Sequence, residues 1–233
     1  MPVRILATLL VLLAASFGPA QDAKALLDQV SQTVASIEDA SLLLVGRLVD
    51  AAGGEIPLEI EFLALPNDAA FSAYLLKPDA LADNMIVLDG EVVANYTFLT
   101  HQVTLFDADD PDALGGLVEP SGQEAVDATF DIQSWFAGWS AELAGSREST
   151  AGPVTVINMT NPEAFATVTS AEVAIVDETL LPYELMLFDM DGRLVAELRF
   201  ENVQLNTGLS REDVTYLPED AEVIDERKSA QTP

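Results

Sequence analysis

The sequence has no cysteine, and this absence excludes several kinds of chemistry at once. Without cysteine there is no disulfide, no thiolate ligand for zinc, no cysteine nucleophile and no cysteine that could carry a lipid. Cations are also scarce, because 10 Lys and Arg stand against 39 Asp and Glu, which gives a formal net charge of -29. A nucleic-acid-binding protein needs many cations to replace phosphate counterions, and an anionic membrane surface would repel this chain.

Catalytic motifs are the second thing that the sequence lacks. It contains no G-x-S-x-G elbow, H-E-x-x-H pair, P-loop or G-x-G-x-x-G loop, and its one histidine is His101. A hydrolase would need His101 for activity, but a lone histidine is more often structural. Residues 107–112 resemble half of a calcium loop, yet Pro111, Asp112 and Val118 stand where a ligand, a glycine and a bidentate glutamate belong. We predict a solvated loop there, and no catalytic residue, metal or cofactor.

What the sequence does contain is an excess of apolar residues. Hydrophobic residues make up 49% of the 233 residues, whereas disordered acidic chains are poor in them, so this chain is predicted to fold. Arg4 is followed by an apolar run over 5–17 and by small residues over 18–20, which is the layout of a secretory signal. The run is shorter than the ~20 residues of a membrane-spanning helix, so an uncleaved anchor is the less favoured alternative. We predict a signal peptide over 1–20 and one domain over 21–233.

The mature chain alternates between helical and strand patterns. Apolar residues at helical spacing predict a helix over 22–38, with Asp22 as its N-cap, and a second helix over 124–143. Alternating residues from Ile56 to Ala64 and an Asp-Gly turn at 89–90 indicate antiparallel strands. The predicted strands are 41–50, 56–65, 71–76, 85–88, 92–98, 102–106, 153–159, 165–177, 183–189, 193–205 and 213–216. These elements predict an α+β fold in which a single curved antiparallel sheet carries helices on its concave face.

The predicted second helix is rich in aromatic residues. Phe130, Trp135, Phe136 and Trp139 lie close together in it, and the strands add further phenylalanines. One interpretation is a sheet packed tightly onto its helices, which is what aromatic stripes usually form. The other interpretation is a sheet so curved that its concave face leaves an apolar cavity for acyl chains.

Several segments, taken in order, resemble one protein family. The segment 78–97 contains a proline, an apolar strand, an Asp-Gly turn and a strand that ends in Tyr96. The tripeptide at 101–103 resembles the start of the following strand, and 214–225 resembles a closing strand, a proline-containing turn and a final short strand. With a first helix over 22–37, this order resembles the periplasmic lipoprotein carriers of the LolA family.

The resemblance implies an unclosed half β-barrel whose helices form a lid over a hydrophobic cavity. Members of the family carry triacylated lipoproteins or lipids between the inner and outer membranes of bacteria. The resemblance therefore also implies a periplasmic monomer, an inner-membrane release complex, an outer-membrane receptor and only transient proximity to membranes. In the family, the strand before an Arg-Pro turn ends in an arginine that holds the lid, whereas the matching dipeptide here is Leu65-Pro66.

We therefore predict a carrier of lipoprotein acyl chains or lipids, acting without covalent chemistry. Acyl chains need such a cavity to cross water, because each exposed CH₂ costs about 0.8 kcal/mol. The alternative is an envelope-stress sensor or another regulatory binding module of the same half-barrel fold. The predicted lipid-binding cavity residues are Ile60, Phe62, Leu75, Val87, Tyr96, Phe98, Trp135, Phe136, Trp139, Leu187, Leu198 and Phe200.

Overall fold

The computed structural model describes residues 22–50, 52–110, 113, 132–163 and 167–228, so the predicted signal peptide lies outside the described residues. The strands are β1 (Ala40–Val49), β2 (Glu55–Leu65), β3 (Ala70–Lys77), β4 (Met85–Asp89), β5 (Val92–Thr97), β6 (Gln102–Asp107), β7 (Ser140–Ser149), β8 (Gly152–Thr160), β9 (Ser170–Val176), β10 (Pro182–Phe188), β11 (Leu194–Leu205) and β12 (Glu222–Asp225). The helices are α1 (Ala23–Val34), α2 (Ile132–Trp135) and α3 (Arg211–Val214), and a 3-10 turn covers Pro66–Asp68.

All twelve strands belong to one sheet, in the order β12-β6-β5-β4-β3-β2-β1-β11-β10-β9-β8-β7. Two antiparallel meanders, β1 to β6 and β7 to β11, are joined at the centre by the pair of β1 and β11. β12 runs parallel to β6 at one edge, and β7 forms the other edge, so the described sheet stays open. The predicted α+β class, with a single unclosed and mainly antiparallel sheet, is confirmed.

α1 packs on one face of the sheet, which we call the helix-facing face; the opposite face is the outer face. The carboxylate of Asp22 begins the helix by accepting a hydrogen bond from the backbone N of Lys24 at 3.1 Å. Its buried residues, at helical spacing, are Ala23, Leu26, Leu27 and Val30. The predicted first helix is confirmed, although it ends at Val34 because the chain must turn to begin β1. Within the described ranges, no helix is both long and apolar enough to cross a bilayer.

The two ends of the sheet carry different turns, because each antiparallel strand reverses direction at its turn. One end, which we call the closed end, has the junction of α1 with β1 and the reversals at 66–69, 90–91, 150–151 and 177–181. The other end, which we call the open end, has the reversals at 50–54, 78–84, 98–101, 161–169 and 189–193.

β1 and β11 approach each other closely near Gly46. A Cβ atom on this residue would lie 1.9 Å from the carbonyl oxygen of Glu197. Glycine inside a strand commonly marks such an approach or a bend. The central pair of strands therefore accepts no side chain at this position.

The predicted second helix over 124–143 is wrong in the part that the structure describes. α2 is a single turn, the chain then reverses near Gly138, whose φ is +83°, and β7 begins two residues later. Leu143, which the prediction placed on the helix, therefore lies on strand β7. The prediction failed because a short run of apolar residues can fit both the helical and the strand period. Residues 124–131 lie outside the described residues.

The predicted strand over 213–216 is also wrong, because a one-turn helix, α3, forms there. The backbone N of Asp213 donates to Ser210 Oγ at 3.2 Å, and the backbone N of Ser210 donates to Asp213 Oδ2 at 2.8 Å. This capping box was encoded by the serine and the aspartate three residues apart. The final short strand that the resemblance implied is present as β12, and the other predicted strands correspond to β1–β6 and β8–β11.

Candidate functional site: an apolar trough on the helix-facing face

The helix-facing face is apolar along the central strands. Alternate residues of a strand share one face. On β1 and β2, the paired residues of this face are Leu44 with Ile60, Gly46 with Leu58, and Leu48 with Ile56. On the other side of β1, Gly46 pairs with Leu198 of β11, and Leu187 of β10 pairs with Ala196. The sheet thus has an apolar floor that runs from the closed end to the open end.

Exposure increases along this floor toward the open end. Leu42 and Leu44 are buried in the core beneath α1, whereas Leu48 is exposed and Ile56 is 42% exposed. Contiguous exposed apolar surface on a folded protein commonly marks a binding site. We call the half-exposed part of the floor the apolar trough; it consists of Leu48, Ile56, Leu58, Ile60, Leu187 and Leu198.

At the closed end, α1 fills the space over the sheet. A cavity beside the end of α1 has a volume of about 20 Å³ and is lined by apolar side chains, among them Val34, Ile37 and Phe200. That volume holds about one water molecule, whereas ligand pockets measure ~300–1,000 Å³. An acyl chain therefore fits this part of the floor only if α1 moves away from the sheet.

Aromatic side chains connect α2 with the floor. The ring centroids of Trp135 and Phe200 are 6.5 Å apart, and Phe136 packs edge-on against Trp139 at 4.9 Å. Phe136 is buried, whereas Trp135 is partly exposed. α1 contacts both α2 and β7, so these rings lie beside the helix that covers the floor.

The predicted cavity residues fall into several places. Phe136 and Phe200 are buried in the core beneath α1, and Phe62 and Trp139 are partly buried and pack against it. Ile60, Leu187 and Leu198 also pack against this core but belong to the half-exposed trough. Leu75 is buried beside Ile60, and Trp135 contacts Phe200. Val87 and Tyr96 belong to a separate cluster on the outer face, together with Leu217 and Ala221 of the C-terminal segment. Phe98 lies in an exposed turn at the open end.

Three residues of the trough, Leu48, Ile56 and Leu58, are not among the predicted cavity residues. A signal for two of them was present, because Ile56 and Leu58 continue the alternation that selected Ile60. Leu48 gave no such signal, since β1 is apolar at most positions and its sequence does not separate the two faces.

His101 joins the turn between β5 and β6 to the C-terminal segment. Its Nδ1 lies 3.0 Å from the hydroxyl oxygen of Tyr96, and its Nε2 lies 3.3 Å from Asp220 Oδ1. Its backbone N donates to the carbonyl of Phe98, and its own carbonyl accepts from the backbone N of Glu222. Both ring nitrogens have protein partners, which gives the residue a structural role.

The acidic stretch 107–112 also contacts the C-terminal segment in its described part. Asp107 Oδ2 accepts a hydrogen bond from the backbone N of Lys228 at 2.8 Å, and Asp110 Oδ2 lies 2.9 Å from Lys228 Nζ. Residues 111 and 112 lie outside the described residues. The two described carboxylates thus hold the chain that follows β12.

The few cations of the molecule are largely neutralised by neighbouring carboxylates. Every described lysine and arginine apart from Lys24 forms an ion pair; these residues are Arg47, Lys77, Arg147, Arg193, Arg199, Arg211, Arg227 and Lys228. Exposed pairs of this kind add little to stability. The ion pairs matter mainly for the charge of the surface. Because the cations are paired, the remaining carboxylates make the surface negative.

Comparison with known proteins identifies the fold. An uncharacterized conserved protein from Thermus thermophilus aligns with 19% identity and a TM-score of 0.60, over 87% of this chain and 98% of that one. MucB aligns with 16% identity and a TM-score of 0.53, over 87% of this chain and 65% of MucB. A LolA superfamily protein from Nitrosomonas europaea aligns with 12% identity and a TM-score of 0.39, over 84% of this chain and 98% of that one.

No family model matches the sequence, and no curated protein sequence matches it. The fold is the one that this chain shares with the Thermus thermophilus protein and MucB, and its single unclosed sheet agrees with what the resemblance implied. At these identities the similarities show the fold alone. The function must therefore be argued from the geometry of this chain.

Proposed function

We propose that this protein is a periplasmic carrier that binds lipoprotein acyl chains or lipids in the apolar trough and moves them toward the outer membrane. The observation that carries the proposal is the half-exposed floor around Leu48 and Ile56, continuous with the core beneath α1. An acyl chain laid on this floor removes apolar surface from water, which is worth ~25 cal/mol per Å². Binding consists of van der Waals contact and involves no covalent step.

α1 and the cargo compete for the same sheet residues in this proposal. Because the cavity beside the end of α1 is only about 20 Å³, a cargo longer than the trough displaces the helix. Leu65, which stands where the family has its lid arginine, packs with Val214 on the outer face and does not reach α1. The apolar face of α1 is therefore what holds the helix against the sheet. An acyl chain that displaces α1 replaces these apolar contacts with apolar contacts of its own.

The test compares two variants, each of which replaces an exposed apolar residue of a strand with glutamate. Ile56→Glu places it in the trough, and the control Val223→Glu places it on β12. We expect Ile56→Glu to weaken binding of a synthetic triacylated lipopeptide about tenfold, because an unpaired charge against acyl chains is costly. Both changes are at exposed positions, so stability changes by only about 0.5 kcal/mol. Equal affinities of the two variants contradict the proposal.

Two further measurements address the cargo itself. Native mass spectrometry of protein purified from its own periplasm is expected to show a co-purified lipid mass, and a lipid-free spectrum speaks against a carrier. Because Phe62 packs against the core beneath α1, Phe62→Glu is expected to lower both the free energy of unfolding and lipid binding, whereas Ile56→Glu is expected to lower lipid binding alone.

A second candidate is a regulatory module that binds a protein partner. MucB, whose fold matches this chain, has been solved in complex with MucA(peri). This candidate predicts that the protein binds no lipopeptide and that a pull-down returns a membrane-anchored anti-sigma factor. Lipopeptide binding that Ile56→Glu weakens favours the carrier instead.

A further inference from the structure

Among the described residues, the exposed large apolar side chains in the turns of the sheet lie at the open end. Leu99 is 91% exposed, Phe98 is 55% exposed and Met190 is 68% exposed, and Leu81 is exposed as well. They belong to the reversals at 98–101, 189–193 and 78–84. The closed-end reversals at 66–69, 90–91, 150–151 and 177–181, all fully described, expose no large apolar side chain. Loop tips are usually polar, so this difference between the ends calls for a partner.

The turns that carry these side chains are held by hydrogen bonds. The backbone N of Phe98 donates to Asn84 Oδ1 at 2.8 Å, which ties the turn at 98–101 to the loop at 78–84. The backbone N of His101 donates to the carbonyl of Phe98 at 3.1 Å, and Tyr74 donates its hydroxyl to Asp83 in the neighbouring loop. Because the backbone is held, Phe98 and Leu99 keep facing outward.

The same end of the sheet carries the half-exposed part of the trough. Leu48 and Ile56 lie on the β1–β2 hairpin, whose turn at 50–54 is at the open end. We call Leu81, Phe98, Leu99 and Met190 the apolar rim. Met190 belongs to the β10–β11 turn, beside β1 in the sheet, whereas Phe98 and Leu99 belong to the β5–β6 turn, three strands beyond β2. A surface that contacts the whole rim therefore lies across the open end of the trough.

We propose that the apolar rim docks the open end on a lipid bilayer without net negative surface charge. Leucine, phenylalanine and methionine enter the interface of a bilayer, and an aromatic ring is favoured at the headgroup level. Exposed carboxylates at the open end, such as Asp50 and Asp79, are repelled by anionic lipids, and Lys77 and Arg193 are already paired with Glu59 and Asp191. A neutral bilayer therefore fits the rim better than an anionic one. The proposal deepens the carrier function, on which it rests, by naming the surface where cargo is exchanged.

Co-sedimentation with vesicles tests the proposal. Protein from which bound lipid has been removed is expected to bind phosphatidylcholine vesicles, and to bind less when phosphatidylglycerol is added. Leu99→Ser is expected to weaken binding about tenfold, because it removes a fully exposed leucine from the interface. The control Tyr216→Ser, at a 60% exposed residue that follows α3 on the outer face, is expected to leave binding unchanged. No binding to neutral vesicles, or equal loss in both variants, overturns the proposal.

A second measurement does not depend on affinity. Since the chain has no cysteine, Leu99→Cys and Tyr216→Cys each give one site for an environment-sensitive fluorophore. The label at 99 is expected to brighten with phosphatidylcholine vesicles and to be quenched by brominated lipid, whereas the label at 216 stays in water. Identical responses at the two sites overturn the rim as the docking surface. If the protein binds lipopeptide but no vesicle, the carrier function stands and the docking proposal is wrong. If it binds vesicles but no lipopeptide, the rim docks on lipid and the carrier function is wrong.

Discussion

The two ends of the sheet differ in whether their residues are held by partners within the protein or exposed to solvent. At the closed end, the buried carboxylate of Asp39 accepts hydrogen bonds from the backbone N atoms of Thr207 and Gly208, both at 2.8 Å. Asn206 Oδ1 accepts from the backbone N of Glu38 at 2.8 Å, so β11 is fastened to the start of β1. The open end instead exposes apolar side chains in its turns. In the described residues, the closed end thus buries its hydrogen-bonded carboxylate, whereas the open end presents apolar side chains to solvent.

The largest expected effect is on the free energy of unfolding, and it compares a residue of α1 at the closed end with a residue of the rim at the open end. Leu26→Ala removes a side chain buried between α1 and the sheet and is expected to lower the free energy of unfolding by about 3 kcal/mol. Leu99→Ala, at an exposed turn, is expected to change it by about 0.5 kcal/mol or less. Urea unfolding measures both. Similar losses would mean that the rim is part of the folded core.

Gly46→Ala tests the close approach of the strands between the two ends. The new Cβ would lie 1.9 Å from the backbone oxygen of Glu197, which cannot move as a side chain can. We expect a loss of about 2 kcal/mol, the usual cost of overpacking. In the control Gly54→Ala, the nearest atom is a side-chain oxygen of Asp50 at 2.6 Å, which can swing away, so unfolding changes less. An unchanged urea midpoint for Gly46→Ala would contradict the observed approach.

Acid is expected to weaken the closed end through Asp39. Burial raises the pKa of this carboxyl, but the hydrogen bonds from Gly208 and Thr207 together outweigh it, so its pKa lies below the ordinary 3.8. Because the pKa is lower in the folded protein, the resulting stability is present above pH 3.8 and is lost as the pH falls through the lowered value. Asp39→Asn lacks this component. The difference in urea midpoint between the two proteins should therefore be constant near neutral pH and shrink in acid.

The smallest expected effect is a loss of stability at alkaline pH, caused by ionisation of Tyr74 at the open end. The hydrogen bond to Asp83, together with burial, raises the pKa of Tyr74 to about 12. Because the pKa is higher in the folded protein, its stabilising contribution is present below the ordinary tyrosine value of 10 and is lost as the pH rises through about 12. Absorbance titration should show one late tyrosine that ionises earlier in Asp83→Asn. A matched Asp79→Asn variant should leave the late titration in place.

The sequence predicted much of the fold because local patterns there agree with the tertiary structure. The first helix shows this, since Asp22 caps it and its apolar residues repeat at helical spacing. The β4–β5 hairpin shows it too, because Asp89-Gly90 suits a tight turn and Gly90 has a φ of +65°. The chain after residue 131 did not follow its pattern. There Gly138 takes a positive φ, and hydrogen bonds with β8 place Leu143 on a strand.

The candidate site was only partly predictable, because sequence alternation gives faces only where polar residues interrupt it. In β2, glutamates at 59 and 61 separate Ile60 and Phe62 from their neighbours, and both residues lie on the helix-facing face. In β4, Ile86, Val87 and Leu88 are all apolar, so the pattern cannot say which of them faces the helix. The C-terminal segment covers Val87 on the outer face, and no local signal reports that contact.

By itself, the sequence determined an acidic, cysteine-free chain of antiparallel strands with a capped first helix, because composition, capping and period-two patterns are local properties. The tertiary structure decided which end of the sheet is sealed and which is apolar and exposed. It did so because Asp39 meets Thr207, and Phe98 meets Asn84, only after distant segments have paired. The exposed rim and the trough beside it are consequences of that pairing.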